Sequence, residues 1–312
     1  MRIIFMGTPD FAVASLKALL DAGEQVVAVV TAPDKPAGRG QKLHQSAVKV
    51  FAVEHNIPVL QPEKLRSPNF IEELRSFQAD LQVVVAFRML PELVWNMPPH
   101  GTVNVHGSLL PQYRGAAPIN HAVINGETKT GVTTFLLQHE IDTGNVLFSD
   151  EVEITESDDA GSVHDKLMNL GASLIVRTVE AIKNGNIHPI PQDELIDASA
   201  IKHAPKIFKE DCLINWNQST ETIYNFIRGL SPYPTAYTHL DQKVLKVFKT
   251  KKELTAHNHP TGEFFSDGKT FIKVTTKDGF IHLNEIQLEG KKRMSVADFL
   301  RGYKSEEILT IL

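Results

Sequence analysis

Three side chains of unlike chemistry, Asn104, His106 and Asp142, stand where apolar segments give way to polar turns. In Thr102-Val103-Asn104-Val105-His106, alternation puts Val103 and Val105 on one face and Asn104 and His106 on the other. Amide and imidazole therefore lie side by side at the C-terminal end of a strand, the edge where open α/β sheets bind ligands. Asp142 belongs to the turn Glu140-Ile141-Asp142-Thr143-Gly144-Asn145, which follows the apolar run Val132 to Leu137. A carboxamide can donate a hydrogen bond to a developing oxyanion, and an imidazole can donate or shuttle a proton near neutral pH. A carboxylate can orient that imidazole and stabilise its protonated form. With no serine or cysteine nucleophile implied, direct transfer from donor to acceptor is expected. A lone Asn-x-His reads more simply as a turn former beside a half-buried histidine. Here the surrounding residues decide otherwise.

Those residues must be held by regular elements. Arg2 to Met6 reads as a buried strand, Phe11 to Ala22 as a helix capped by Asp10, and Val26 to Val30 as a second strand. Helices over Gln45 to Glu54 and Ser67 to Phe77 alternate with strands at Val59-Leu60 and Asp80 to Phe87. The last, rich in valine, suits a central strand buried on both faces. A helix from Pro118 to Asn125 and strands over Gly131 to Leu137 and Asn145 to Ile154 follow the Asn-His segment. This rhythm specifies an α/β fold with an open, doubly wound, mostly parallel sheet of Rossmann-like type. Gly7-Thr8-Pro9 at the first turn is not the G-x-G-x-x-G dinucleotide fingerprint, which disfavours a dehydrogenase. Thr31 to Gln45 is a long polar connection, whereas such connections usually run about 2–6 residues; it is either functional or a solvated loop.

Ser162 to Asn184 has the period of a long amphipathic helix that closes the first domain. Pro189 and Pro191 mark a linker over residues 189–205, between a catalytic domain over 1–188 and a second domain over 206–312. In the latter, Trp216 to Leu230 reads as a helix with Ser219 as a possible cap. Short strands are expected at Ala236-Thr238, Val244-Phe248, Gly262-Phe265, Thr270-Thr275 and Gly279-Ile286. That spacing suits a small β-barrel of the OB type, a shape that commonly binds oligonucleotides.

Composition narrows the classes further. The chain has 312 residues, 42% of them hydrophobic, and a net charge of -5, as in ordinary soluble proteins. From Lys206 onward 16 basic residues face 13 acidic ones (+3), while the preceding part carries 16 against 24 (-8). A mildly basic second half is compatible with a nucleic-acid partner docking there. Cys212 is the single cysteine, so neither a disulfide nor a cysteine-based zinc site is expected. No run approaches the roughly 20 apolar residues that span a bilayer, and Met1 to Gly7 is too short for a signal peptide. A cytoplasmic protein with no membrane partner is expected.

The pattern Asn104-x-His106-x-Ser108-Leu109-Leu110-Pro111-x-Tyr113-Arg114-Gly115-x-x-Pro118, followed by Asp142-Thr143-Gly144, resembles the folate-dependent formyltransferases. Met6-Gly7-Thr8-Pro9-Asp10-Phe11-Ala12, Pro36-Ala37-Gly38-Arg39-Gly40, Ala204-Pro205-Lys206, Ile227-Arg228-Gly229-Leu230-Ser231-Pro232 and Lys291-Lys292-Arg293-Met294 extend the resemblance over the whole chain. They narrow it to the branch whose acceptor is methionyl initiator tRNA. The resemblance implies a formyl donor, 10-formyltetrahydrofolate, whose pterin lies against Phe87, Arg88, Met89 and Leu90, with Ser108, Leu109, Leu110 and Pro111 lining the rest of the folate site. It implies tRNA contacts from Arg39 and Lys42 in the long loop and from Lys206 at the domain junction. It also favours a phosphate-facing role for Lys246, Lys291, Lys292 and Arg293, any one of which reads equally well as a solubilising surface charge. Relatives often carry Tyr-Gly where Phe87-Arg88 stands, so the Arg88 side chain is expected to face solvent. His139 has no counterpart in the motif and reads as incidental.

The expected reaction is attack of the methionine α-amine on the formyl carbon. Asn104 and protonated His106 stabilise the oxyanion, Asp142 supports the imidazolium, and either His106 or Asp142 moves the proton. No metal or nicotinamide is required, and a monomer is expected. The rivals are a formyltransferase acting on a sugar nucleotide or purine precursor, a hydrolase releasing formate, and a non-catalytic tRNA-binding protein on this scaffold.

Overall fold

Short β-branched runs alternating with amphipathic segments give, in the computed structural model, a mostly parallel sheet followed by an antiparallel one. The structure describes residues 1–37, 42–195, 201–303, 305 and 308–310. Contacts divide the chain into two units, neither continuous in sequence. One comprises Met1–Gly115, Thr130–Val152 and His164–His203; the other comprises Ala116–Lys129, Glu153–Val163 and Ala204–Leu312.

The elements up to the Asn-His strand are β1 (Arg2–Gly7), α1 (Asp10–Asp21), β2 (Gln25–Val30), β3 (Lys35–Ala37), β4 (Lys42–His44), α2 (Ala47–Glu54), β5 (Val59–Leu60), α3 (Pro68–Ser76), β6 (Leu81–Val85), α4 (Glu92–Trp95) and β7 (Thr102–His106). After them come β8 (Arg114–Gly115), α5 (Pro118–Ile124), β9 (Lys129–Leu136), β10 (Val146–Glu153) and α6 (Ala160–Lys183). The main sheet runs β10-β9-β7-β6-β1-β2-β5. Its β1/β2, β1/β6, β2/β5 and β6/β7 pairs are parallel, and β9 is antiparallel to β7. Every residue of β6 is buried, as a strand covered on both faces requires. The doubly wound, mostly parallel fold read from the sequence is therefore the fold observed.

One expectation near the N-terminus needs correction. Asp10 does not cap α1: the cap position is Pro9, without a side-chain bond, and Asp10 opens the first turn. There its negative charge still complements the helix dipole. The polar connection from Thr31 contains a two-stranded ribbon, β3 paired with β4. The stem of this ribbon is tied down by a Thr31–Ser46 hydroxyl contact at 2.7 Å and an Asp34–Lys49 ion pair at 2.5 Å. Gln61 adds bonds to the Ala32 carbonyl and the Asp34 carboxylate. Arg39 lies outside the described residues, as does the side chain of Lys42.

The second unit contains α7 (Thr220–Leu230), β12 (Ala236–Leu240), β13 (Lys243–Glu253), β14 (Phe264–Ser266), β15 (Ile272–Thr275), β16 (Phe280–Leu288), β17 (Met294–Ser295), α8 (Val296–Gly302) and β18 (Ile308–Thr310), after β11 (His203–Ala204). Its curled sheet runs β12-β13-β16-β15-β14-β18, with β17 paired to β16, and is of the OB-like kind expected. Only the β14/β18 pair among those with a described register is parallel. Helix α7 begins at Thr220 rather than Trp216, because Ser219 caps it by accepting from the Thr222 N–H. The Trp216 indole instead donates to Thr238 on β12. Ile223, Ile227 and Leu230 of α7 pack with Leu245, Val247, Ile281 and Ile286 of the sheet. Each such buried side chain contributes about 1.5–3 kcal/mol.

Candidate active site

The C-terminal end of β7 places the first two candidate residues. Val103, Val105 and His106 are buried and Asn104 is half-buried. Asn104 pairs in register with Val84 of β6 on one side and Phe135 of β9 on the other. Among the described residues its carboxamide has no side-chain hydrogen bond, so its two N–H hydrogens are available to a ligand.

The ring of His106 is fixed from both sides. Its Nε2 lies 2.9 Å from the main-chain oxygen of Tyr113. A carbonyl can only accept, so Nε2 carries a hydrogen and donates it. The Nδ1 atom is then the one that gains a proton when the ring becomes charged, and it faces Asp142 Oδ2 at 3.9 Å. That separation is an ion-pair distance, beyond a direct hydrogen bond. The carboxylate is itself anchored, because Asp142 Oδ2 accepts from the Gly115 N–H at 3.0 Å. The end of β7 and the turn after β9 thus bring His106 and Asp142 together.

The turn that carries Asp142 is shaped by close packing. Asp142 has φ 56°, in the left-handed region that Asp tolerates better than most residues. Two positions later, a Cβ on Gly144 would fall 1.7 Å from the Leu136 carbonyl oxygen, so only glycine fits against β9. His139, just before this turn, is exposed beside Glu92 at 3.5 Å and packs edge-on against Trp95.

The expected folate residues divide by placement. Ser108 is fully buried and its hydroxyl donates to the Gln112 carbonyl at 2.6 Å, so it shapes the loop. The Ser108 carbonyl accepts from Thr133 Oγ1, which in turn accepts from the Leu110 N–H. Leu109 is half-buried, and Pro111 is buried behind a cis peptide bond. Leu110 packs with Phe135 and Val146. Leu90 is buried in the core that includes Val84 and Val94, with Phe87 half-buried against it. Met89 is 73% exposed, an apolar side chain open at the edge of the sheet. Arg88 is exposed as expected, yet its guanidinium is engaged. It donates to the carbonyls of Glu63, at 2.9 Å, and Pro62, and lies 5.5 Å from the Phe87 ring centroid.

The cations of the second unit divide as well. Lys206 is exposed with its ammonium 5.0 Å from the Phe208 ring centroid. Lys246, Lys291 and Lys292 are exposed and form no ion pair among the described residues. Arg293 is already paired: Nε and Nη2 grip both oxygens of Glu285 at 2.8 and 2.7 Å, and the guanidinium stacks over Phe248. Hydrogen bonding to Arg293 holds the Glu285 carboxyl below the usual range. Among the described residues no cluster of His, Cys, Asp and Glu is arranged to hold a metal ion, and no helix is long and apolar enough to cross a membrane.

Sequence reasoning did not single out the Tyr113 carbonyl or the Gly115 N–H as parts of the corner, because main-chain groups leave no residue-type signal. It also missed Gln192, which it placed in a linker.

Residues 1–179 match the family described as formyl transferase, and residues 206–304 match its C-terminal domain. The chain is 56% identical over 311 residues to a methionyl-tRNA formyltransferase of Parabacteroides distasonis, with 97% of this chain and 96% of that protein covered. It is 57% identical over 314 residues to the Phocaeicola vulgatus protein of the same name, covering 98% and 97%. Among solved structures it is similar to HypX from Aquifex aeolicus in complex with tetrahydrofolic acid (TM-score 0.65, 18% identity), covering 100% of this chain and 49% of that one. It is also similar to WlaRD, a sugar 3N-formyl transferase solved in the presence of dTDP and 5-N-formyl-THF (TM-score 0.64, 20% identity), covering 94% and 99%. At such identities the structural likeness carries the fold alone.

Proposed function

This chain belongs to the formyl transferase family, and we propose that it transfers a formyl group from 10-formyltetrahydrofolate to the α-amino group of methionine on initiator tRNA. The observation that carries the reading is the corner formed by Asn104, His106 and Asp142, in a chain whose relatives at more than half identity share one name.

The α-amine attacks the formyl carbon, and charge develops on the formyl oxygen. The free carboxamide of Asn104 donates to that oxygen, and the His106 ring supplies positive charge beside it. When Nδ1 is protonated, the imidazolium faces the Asp142 carboxylate, which supports the charged form. The bond from formyl carbon to the amine nitrogen forms while the bond to folate N10 breaks. The proton lost by the amine passes by way of the His106–Asp142 pair to N10, so no charge is left on either product. Phe87 and Met89 supply apolar surface for the pterin, and the loop of Leu109 to Pro111 lines the rest of the folate site. Ser108 and Leu90 shape that site from behind.

On the acceptor side, Arg39 and Lys42 of the polar loop, Lys206, and Lys246, Lys291 and Lys292 are the tRNA contacts, with Arg293 in a supporting position. Counter-ion release by such lysines makes binding salt-dependent. A cytoplasmic monomer fits this role. Arg39→Ala is expected to raise KM for tRNA and leave that for the folate donor unchanged; equal losses on both sides would remove Arg39 from the acceptor site.

The test is a competition among acceptors. Purified protein with 10-formyltetrahydrofolate receives methionyl initiator tRNA, water or a sugar-nucleotide amine. Formyl-methionine formation dominating the other two supports the reading. Transfer to the sugar amine in its place would keep the chemistry and discard the tRNA.

A further inference from the structure

Gln192 stands in the stretch that the sequence assigns to a linker, yet only 3% of it is exposed. Its Nε2 donates to the main-chain oxygen of Asp142 at 2.9 Å and to that of Gly144 at 2.8 Å. Its Oε1 accepts from Nε and Nη2 of Arg114 at 2.9 and 2.7 Å. A carboxamide has two N–H hydrogens and one oxygen with two lone pairs, so every bond it can make is made here.

The loops joined in this way are the two that build the catalytic corner. Arg114 lies between Tyr113, whose carbonyl takes the His106 Nε2 hydrogen, and Gly115, whose N–H holds the Asp142 carboxylate. Asp142 is held in a left-handed conformation that an L residue does not readily keep unaided. Gln192 grips the main chain of Asp142 on one side while Gly115 grips its side chain on the other. Without Gln192 the half-buried Asp142 carbonyl, the buried Gly144 carbonyl and the Arg114 guanidinium would each lose a partner, and the turn would have reason to move.

We propose that Gln192 is a positioning residue for formyl transfer, holding the Asp142 turn against the Tyr113–Gly115 loop so that the carboxylate stays at His106 Nδ1. The proposal rests on the roles given above to His106 and Asp142. Gln192 does not touch the reacting atoms; it acts through Asp142.

Two substitutions in the full chain separate this role from simple bracing. Gln192→Met keeps the volume and removes all four bonds, whereas Gln192→Glu keeps an acceptor for Arg114 and removes both donors. Each is expected to lower kcat by about 10- to 100-fold, as a small misplacement of a catalytic group does. KM for donor and tRNA should change little. In an Asp142→Asn background the same substitutions should cost far less, because both changes act through one carboxylate. A second readout needs no turnover: the ring-nitrogen resonances of His106 should move in the same direction in Gln192→Met as in Asp142→Asn. Undiminished kcat, full additivity with Asp142→Asn, or undisturbed His106 resonances in a folded Gln192 variant would overturn the proposal. If Gln192→Met melts below the assay temperature, Gln192→Glu carries the test. If the wild-type protein transfers no formyl group, the reading of function fails, and the His106 resonances still decide the role of Gln192.

Discussion

The corner at the end of β7 and the basic surface of the antiparallel sheet use their polar groups in opposite ways. At the corner, His106 and Asp142 are each held by a main-chain group, at 2.9 and 3.0 Å, inside a largely buried setting. In the second unit, Lys246 of β13 and Lys291 and Lys292 of the turn between β16 and β17 are exposed and unpaired by any acidic group among the described residues. On the proposed mechanism, geometry matters most in the first region, where a shift of an ångström would slow transfer. In the second, the proposed tRNA contact would rest on summed charge, and any one lysine would be replaceable. Arg293 stands between the two modes, a surface cation that is nonetheless engaged by both oxygens of one carboxylate.

The largest effect should follow from His106→Ala. Turnover is expected to fall by at least about 10²-fold, the low end for a lost acid or base. Steady-state rates at saturating donor and tRNA measure this, and near-normal turnover would place the proton chemistry elsewhere. A smaller and different effect is expected from replacing Lys246, Lys291 and Lys292 together with alanine. Affinity for tRNA should weaken, and the slope of log affinity against log salt should drop by about 2–3 if all three meet phosphates. Binding titrations across a salt series test it; an unchanged slope would take these lysines off the binding surface.

Arg293→Ala should do least, and it sharpens the contrast. Its loss should cost less than about 1 kcal/mol of stability at neutral pH, since the Glu285 pair is partly exposed and screened. The bond to Arg293 depresses the Glu285 carboxyl in the folded state, so the pair stabilises the fold above the unfolded carboxylate range. That stabilisation fades as pH falls through the folded value, and wild type and variant should then converge in melting temperature. A difference that persists in strong acid would mean that packing over Phe248, rather than charge, is what Arg293 supplies.

The same contrast explains what could be read from the sequence. β1, β2 and β6 were legible because their largely apolar, β-branched runs leave little alternative to buried strands, and in β7 alternation alone set Asn104 and His106 on one face. The reach of Asp142 to His106 was legible only as a possibility, since it depends on where two turns fold back. β13 runs from Lys243 to Glu253, well past Phe248, because register shifts near Lys249 let a lysine-rich stretch stay paired with β16. Polar composition hid that length. α8 and β18 were missed for a similar reason: seven helical residues and three strand residues carry too few periods to register. Gln192 was hidden by its neighbours, since flanking prolines signal a loop and nothing local signals four tertiary bonds.

If the corner carries the chemical step, its loss must show in the transfer itself, timed in a single turnover with donor and methionyl initiator tRNA bound in advance, in wild type, Asn104→Ala and Asp142→Asn. Both variants should bind both substrates and transfer the formyl group orders of magnitude more slowly. Transfer at the wild-type rate in either variant would contradict that role for the corner.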